Sequence, residues 1–451
     1  MHFATELWLD IISNLTMDDR QTAKSLCLVA KRFLPLARPL LYHTLLRKDM
    51  RNPLLLDSLS IGPSAEVLAG LVRDVTVDSC LNMERLNTPD NQVLLDTFGS
   101  NFWTELEVAA AQAKVRATWD RTVLSLRKCS SVCYLTFVVD CEYQNDMITT
   151  TTFGQPCTEL IPIPTIQSFL CLPFLQKLRY MNIRSPRGTA STDYTSFGQL
   201  LFACPELTKI TLSLVAGHSF FSPVVEALSD QPRLPLALRT VEWEERRSGR
   251  MQPPACFDQI LPLIAQIPVL SCISFVGYEL RHRRLQAEYS AAPFRMSSIR
   301  SLILHEDDPN IQQHTNQSSI TRCLSLCFPA VQFLKLTTMN AALYSAPGVR
   351  FPELRHLMIL DRQSHENPHR SFSVPLALLS EDFAPKLMQL TYIVNYSSLL
   401  DAASKWARQG QRDITGYDMQ KVGPNVQAIH LHFASYRLFY SRREGGFVLS
   451  S

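Results

Sequence analysis

The chain has 451 residues, of which 46% are hydrophobic and 19% are charged, and its net charge is +3 at pH 7. This composition excludes a largely disordered chain and allows a substantial core, while the length exceeds the about 100–200 residues of one ordinary domain. The near-neutral charge gives no electrostatic reason to expect a nucleic-acid or membrane partner. No run of about 18 apolar residues occurs, and Glu6 and Asp10 interrupt the first apolar stretch, so neither a membrane span nor a signal peptide is expected. We therefore expect a soluble protein of the cytoplasm or the nucleus.

The first 45 residues predict three short helices. Leu7, Ile11 and Leu15 recur every four residues and form one apolar stripe. A second helix is expected after Asp18-Asp19, and a third segment, 31–42, contains two prolines and should be short or bent. Three short helices cannot bury their apolar side chains by themselves, so we expect a partner to cover part of the stripe.

The order and spacing of these residues resemble the F-box family, particularly its fungal type. The matching residues are Glu6-Leu7, Ile11, Leu15, Asp18-Asp19, Ser25–Phe33 and Pro39–Tyr42; the family usually opens with Leu-Pro, where this chain has Phe3-Ala4. The resemblance implies a three-helix module over residues 1–48 that binds the Skp-type adaptor of a cullin ubiquitin ligase. The adaptor-binding residues that it implies are Phe3, Ala4, Leu7, Ile11, Leu15, Leu26, Val29 and Phe33. The alternative is a helical cap that merely closes the rest of the chain.

One apolar phrase recurs through the remainder of the sequence. It consists of an apolar anchor, two residues, a second apolar residue, one residue and a third apolar residue. Clear copies occur in Pro205–Leu212, Pro268–Phe275, Pro329–Leu336, Pro352–Ile359, Pro385–Tyr392 and Pro424–Leu431, and looser copies begin at Val72, Val132, Leu175, Leu238 and Ile299. The anchors from Leu175 to Leu387 are 23 to 33 residues apart. Such a period predicts a leucine-rich-repeat solenoid.

The predicted fold is therefore α/β: a three-helix F-box followed by a leucine-rich-repeat solenoid with parallel strands on its concave face and helices outside. Helices are expected between the phrases, for example in Cys256–Ile267, Ser318–Phe328 and Ser397–Ala407. The expected organisation is a module at 1–48, a linker at 49–70, a solenoid at 71–433 with a helical insertion at about 88–130, and a tail at 434–451.

Sequence patterns that would indicate an enzyme are weak. The string His365–His369 matches the letters of a zinc-protease motif, but Pro368 would prevent the helix that must carry both histidines. Neither a nucleotide-binding glycine loop nor a nucleophile elbow occurs. The twelve cysteines lie mostly in apolar runs, which favours reduced thiols in the core. We expect neither catalysis nor a cofactor or metal.

The resulting hypothesis is a substrate receptor of a Skp–cullin–F-box ligase, with the adaptor, the cullin core and an unknown protein substrate as partners. The alternatives are a leucine-rich interaction scaffold that recruits no ligase and, more remotely, a metal hydrolase using His365 and His369. Residues that alternate with the anchors should face away from the core and bind the target. In the predicted target-binding set, Phe333 and Met358 are expected to be exposed apolar anchors. Its members are Lys177, Arg179, Lys209, Glu242, Glu244, His305, Phe333, Lys335, His356, Met358 and His430, together with Met181, Thr240 and His432.

Overall fold

The computed structural model shows a mixed α/β protein with fourteen strands, few helices and no closed barrel among the residues that it describes. The chain divides into two compact units, residues 1–238 with 248–252, and residues 239–247 with 253–451. Described are residues 34–46, 49–50, 52–78, 119–138, 168–184, 199–213, 237–244, 267, 269–276, 295–305, 325–337, 348–361, 376–394, 419–433, 436–444 and 446–450, with isolated positions in 22–25, 117 and 408–414.

The described part of the first unit contains five parallel strands that are neighbours in chain order. The helices described over their whole length are α1 (Leu34–Tyr42), α2 (Pro53–Ser60), α3 (Ala65–Gly70) and α4 (Leu200–Ala203), with a 3-10 helix at Pro173–Lys177. The strands are β1 (Thr44–Leu45), β2 (Asp74–Asp78), β3 (Tyr134–Val138), β4 (Tyr180–Arg184) and β5 (Lys209–Ser213).

The second unit continues the same plan with seven parallel strands and closes with an antiparallel hairpin. The parallel strands are β6 (Thr240–Glu244), β7 (Cys272–Val276), β8 (Ser301–His305), β9 (Phe333–Thr337), β10 (His356–Asp361), β11 (Gln389–Val394) and β12 (Ala428–Phe433). The hairpin consists of β13 (Tyr436–Arg443) and β14 (Gly446–Leu449), and 3-10 helices lie at Leu376–Leu379 and Met419–Lys421.

Each repeated phrase places its second and third apolar residues on one face of a strand. In β8, for example, Leu302 and Leu304 are fully buried, and the preceding anchor Ile299 is buried too. The prediction that the anchors form the core is therefore confirmed for this copy and for the clear copies of the phrase. Since side chains alternate along a strand, the same spacing sends the intervening residues to the opposite face.

One predicted copy was placed three residues too early. The anchor of β4 is Leu178 rather than Leu175, because Met181 pairs with Ile210 and Ile183 with Leu212 in the neighbouring strand. Leu175 is also buried, within the 3-10 helix. Both residues are apolar and three positions apart, so the amino-acid sequence alone allows the repeated phrase to begin at either one. We call the starting position of a phrase its phase.

The backbone starts each strand in the same way. The residue after an anchor offers its carbonyl to two amides of the next unit: the Arg73 oxygen accepts from Cys133 and Tyr134 nitrogens at 2.9 and 3.1 Å. The Arg239 oxygen likewise accepts from Ser271 and Cys272, both at 2.9 Å. This shared contact sets the register of neighbouring phrases, and side chains add to it, since the Ser271 hydroxyl also donates to the Arg239 carbonyl at 3.2 Å.

The predicted linker at 49–70 is wrong, because α2 and α3 lie within it. Asn52 caps α2 by accepting a hydrogen bond from the Leu54 nitrogen at 3.1 Å. Leu56 and Leu59 are buried, and the Ser125 hydroxyl donates to the Leu56 carbonyl at 3.0 Å. The segment is therefore part of the first unit's core.

The expected insertion helix is described only over residues 119–126. There Trp119 is buried, and its ring lies 5.7 Å from that of Phe169, which also packs against Phe137 at 5.0 Å. Phe174 completes this aromatic core, with a centroid distance of 6.2 Å to Phe169. The helix thus covers the strands from the anchor side, whereas Leu124 on its other side is 51% exposed.

The expected C-terminal tail at 434–451 is also wrong. Residues of β13 pair with β12 in antiparallel fashion, so that Tyr440 lies opposite Ile429 and Phe439 opposite His430. Tyr440 is 1% exposed, and the Arg442 guanidinium donates to the carbonyls of Gly423 and Pro424 at 2.7 and 3.1 Å. The hairpin therefore covers the last parallel strand and contributes to its core.

The remaining local predictions have mixed outcomes. Helix α1 is short, as predicted, although Pro39 lies inside it without ending it. Cys129 and Cys204 are buried core residues, and burial raises the pKa of each thiol to about 12, which keeps it protonated and unreactive. Among the helices that the structure describes, none is long and apolar enough to cross a lipid bilayer.

Candidate protein-binding surface

The face of the strands opposite the buried anchors is the best candidate for a binding surface, and we call it the open face. In the second unit its side chains form rows that run across the strands. Neighbouring members of one row lie on adjacent strands, which are about 4.8 Å apart. The middle row has a mixed chemistry that combines charged, polar and apolar groups. Its members, in strand order from β6 to β13, are Glu242, Ser274, Ile303, Lys335, Met358, Thr391, His430 and Phe439.

The predicted residues of the second unit fall on the open face wherever their side chains are described. Those residues are Thr240, Glu242, Phe333, Lys335, His356, Met358, His430 and His432. Glu244 and His305 end β6 and β8, but their side chains are not described. Phe333 and Met358 are half-buried rather than exposed, because neighbouring strands hold side chains directly beside them.

In the first unit the predicted set needs correction, because it follows the misplaced anchor. Lys177 ends the 3-10 helix and Arg179 precedes β4, so neither lies on the strand. Met181 is 2% exposed and belongs to the core. Lys209, by contrast, begins β5 on the open face as predicted, directly beside Tyr180 in β4.

The structure brings two tyrosines together that the sequence interpretation missed. The Tyr134 and Tyr180 rings stack with centroids 4.5 Å apart and planes inclined by 3°. Both side chains remain exposed, at 45% and 36%. Each lies two residues after an anchor, which is the position of Phe333 and His356 in the second unit. The misplaced anchor Leu175 concealed Tyr180, whereas Tyr134 follows the correctly placed anchor Val132.

A group of hydrogen-bonded and aromatic contacts lies on the open face where β11, β12 and β13 meet. The Gln389 amide nitrogen donates to His430 Nδ1 and to the Thr391 hydroxyl, both at 3.1 Å. The His430 and His432 rings are nearly parallel at 6.5 Å, and the edge of Phe439 approaches them at 4.9 and 6.0 Å. We call these five residues the histidine cluster.

The surroundings of both histidines lower their pKa and so favour the neutral form. Burial lowers the pKa of His430, with a further contribution from His432, and burial followed by the Arg437 charge lowers the pKa of His432. The hydrogen bond from Gln389 requires an unprotonated Nδ1 on His430. The His432 Nε2 atom is buried and has no hydrogen-bond partner among the described residues.

A pH dependence of stability follows from these lowered pKa values. As pH falls below 6.5, the ordinary histidine value, the unfolded chain takes up protons that the folded chain does not. We therefore expect the free energy of unfolding to fall as pH is lowered from neutral through 6.5 toward the folded-state pKa. Urea midpoints measured on both sides of 6.5 should show a smaller fall for the His430→Gln/His432→Gln double variant. The same pH dependence in both proteins would contradict this assignment.

The residue types of the open face are suited to contact with another protein. No group of three or more potential metal ligands is found among the described residues. His365 and His369 lie outside the described residues. So do all the predicted adaptor-binding residues, namely Phe3, Ala4, Leu7, Ile11, Leu15, Leu26, Val29 and Phe33. A half-buried set of aromatic, aliphatic and charged side chains on rigid strands is what a protein-binding surface requires.

No known protein-family model matches this sequence. No curated protein is significantly similar to it.

Proposed function

We propose that the chain is the substrate-recognition subunit of a Skp–cullin–F-box ubiquitin ligase. Its N-terminal module would bind the adaptor, and the open face would bind the protein to be ubiquitinated. The observation that carries the proposal is the ordered F-box-like series from Glu6 to Tyr42, followed directly by repeated strands. We also infer that the repeated strand units belong to the leucine-rich-repeat class of solenoids.

The junction between the two parts supports this proposal. Helix α1 contains the last residues of the series, Pro39–Tyr42, and passes within two residues into β1. The His43 carbonyl accepts from the Arg73 and Asp74 nitrogens at 2.9 and 3.0 Å, as the later units do with one another. The last residues of the series are therefore continuous with the first pair of strands.

Such a protein needs no catalytic side chain of its own. A receptor that holds its target beside a separate ubiquitin-charged enzyme raises the effective concentration of the two reactants. The rate enhancement then depends on rigid placement, to which stacked strands are suited. The reaction would belong entirely to the partners.

The decisive experiment tests adaptor binding. Ile11→Asp places a charge in the middle of the predicted apolar stripe, and burying an unpaired charge costs several kcal/mol. We expect this variant to lose co-purification of the Skp-type adaptor and the cullin, with unchanged circular dichroism. The matched control is Ile61→Asp, which makes the same change at a residue that is 69% exposed and outside the F-box-like series.

Retention of both partners by Ile11→Asp would refute adaptor docking through this stripe. If the wild-type chain recovers neither partner while still capturing other proteins, the interaction scaffold without ligase recruitment is the correct function. The two outcomes are distinguished in one pull-down by immunoblotting for the cullin.

A second test concerns target capture by the open face. Phe333→Ala combined with Met358→Ala removes two half-buried apolar side chains from neighbouring strands. Target proteins are first identified as those recovered under proteasome inhibition. We expect the affinity of the double variant for them to fall by about 30-fold or more, corresponding to about 2 kcal/mol, while adaptor recovery stays unchanged.

The control for this test removes similar apolar area elsewhere in the second unit. Val269→Ala and Leu326→Ala change side chains that are each 46% exposed and lie outside the strands. Target capture that survives the open-face double variant, or that falls equally in the control, would exclude this face as the target site.

A further inference from the structure

A row of arginines lies at the position immediately after the anchor in every second strand from β6 to β10. In the second unit Arg239, Arg300 and Arg355 hold this position before β6, β8 and β10. The strands between them carry Ser271 and Gln332 there, and the backbone contacts place all five side by side. The first unit has the same alternation, with Arg73, Cys133, Arg179 and Thr208. We call Arg239, Arg300 and Arg355 the arginine row.

The alternation has a structural reason at some positions. The Arg300 guanidinium donates to the Ser297 carbonyl of its own turn at 3.0 Å and to the Ala330 carbonyl of the next turn at 3.2 Å. Arg73 bridges Gly70 and Ser131 in the same manner, at 2.9 and 3.3 Å. An arginine in every strand would place like charges about 4.8 Å apart, which repels.

This structural role does not account for the whole row. Arg239 and Arg355 are exposed, and neither guanidinium makes a hydrogen bond to the residues that the structure describes. Arg300 uses only one of its terminal nitrogens for the turns. Each member therefore retains donors that point to no described acceptor, and a guanidinium is suited to bidentate contact with a carboxylate.

Glu353, an acidic side chain that senses the charges of Arg355 and Arg300, is already paired. Both oxygens of Glu353 accept hydrogen bonds from the Lys386 ammonium, at 2.7 and 2.8 Å. Lys386, and then the charges of Arg355 and Arg300, lower the pKa of Glu353. Since Lys386 neutralises this carboxylate, the positive charge of the row is left uncompensated by it.

We propose that the arginine row binds an acidic peptide segment in the polyproline II conformation, with one carboxylate at every third residue. Alternate strands are about 10 Å apart, and one turn of polyproline II, which has three residues and returns every third side chain to the same side, spans about 9 Å. Successive acidic side chains at this interval would meet Arg239, Arg300 and Arg355 in turn. The proposed contacts use none of the predicted adaptor-binding residues and do not depend on ligase recruitment.

A single-stranded nucleic acid fits this row less well. Such ligands are bound by aromatic side chains, on which bases stack, interleaved with basic ones. The residues between the arginines are Ser271 and Gln332, which offer no ring for stacking. The uncharged spacers favour a peptide backbone, which they could contact through hydrogen bonds.

The test uses the full chain and a fluorescein-labelled peptide of repeated Glu-Ser-Thr, in which every third residue is acidic. Fluorescence anisotropy at low salt should show saturable binding, which the Arg239→Gln/Arg355→Gln variant weakens by about tenfold or more. These two positions are chosen because Arg300 also supports the turns. The matched control, Lys421→Gln/Arg443→Gln, removes the same charge from exposed sites outside the row and should change the affinity less than about twofold.

The peptide spacing supplies a second discrimination. A peptide of the same composition with its glutamates in one block should bind about tenfold more weakly if binding depends on the spacing of the carboxylates along the peptide. Absence of saturable binding, equal losses in the row and control variants, or equal affinity for the blocked peptide would each overturn the proposal. So would tighter binding of an oligothymidylate of equal charge, which would identify a nucleic-acid surface instead.

Discussion

Tyr440→Ala is expected to lower the free energy of unfolding of the second unit by about 3–5 kcal/mol, the cost typical of deleting a large buried aromatic side chain. The residue is 1% exposed and lies opposite Ile429, at the point where the hairpin covers the last parallel strand. Urea unfolding followed by far-ultraviolet circular dichroism measures the change. Had residues 434–451 been a tail, the substitution would cost almost nothing.

Two neighbouring variants make this prediction specific. Tyr440→Phe should leave stability unchanged or slightly raised, because the Tyr440 hydroxyl is buried without a hydrogen-bond partner in the described structure. Phe439→Ala removes the adjacent aromatic ring on the open face, which is 38% exposed, and should cost about 1 kcal/mol. Similar losses at Tyr440 and Phe439 would show that the hairpin does not distinguish a core side from an open side.

The second large effect is expected in the interior of the strand stack. Leu302→Ala should cost about 2–5 kcal/mol, because Leu302 is fully buried in β8 between Ile273 and Leu334 of the neighbouring strands. Rigid strands on both sides limit the collapse of the resulting cavity. The same urea experiment measures this cost.

The adjacent residue supplies its control. Ile303→Ala deletes a side chain of the same size from the same strand, but on the half-buried open face. We expect a loss of about 1 kcal/mol. Equal losses at Leu302 and Ile303 would contradict the assignment of the anchors to the core.

At the candidate site, the position chosen for the first anchor of each repeat decides which residues are assigned to the core and which to the open face. Where the phrase was read in the correct phase, as at Leu334 and Leu336, the alternating residues Phe333 and Lys335 were assigned to the proper face. A shift of three residues at Leu175 instead placed the core residue Met181 on the surface and hid Tyr180. Apolar residues three apart satisfy both phases, so only pairing with β5 distinguishes them.

Several features could not be derived from local patterns. The division of the chain near residue 238, the packing of α2 against the helix at 119–126, and the histidine cluster all depend on residues distant in sequence. Gln389 and His430 are 41 positions apart, and the periodicity of apolar residues does not predict a hydrogen bond between them. Their half-burial, which lowers the histidine pKa, is likewise set by Phe439 on a strand that was expected to be a tail.

The sequence by itself determined the repeated strands, their buried anchors and the face on which most candidate binding residues lie. It could do so because side chains alternate between the two faces of a strand, and the repeated phrase shows which alternate positions are apolar. The tertiary structure alone decided which side chains are neighbours across strands, how far each is buried and where the hairpin closes the second unit. Those properties come from the register between strands, in which backbone contacts such as that of the Arg239 carbonyl with the Ser271 and Cys272 nitrogens join residues distant in sequence.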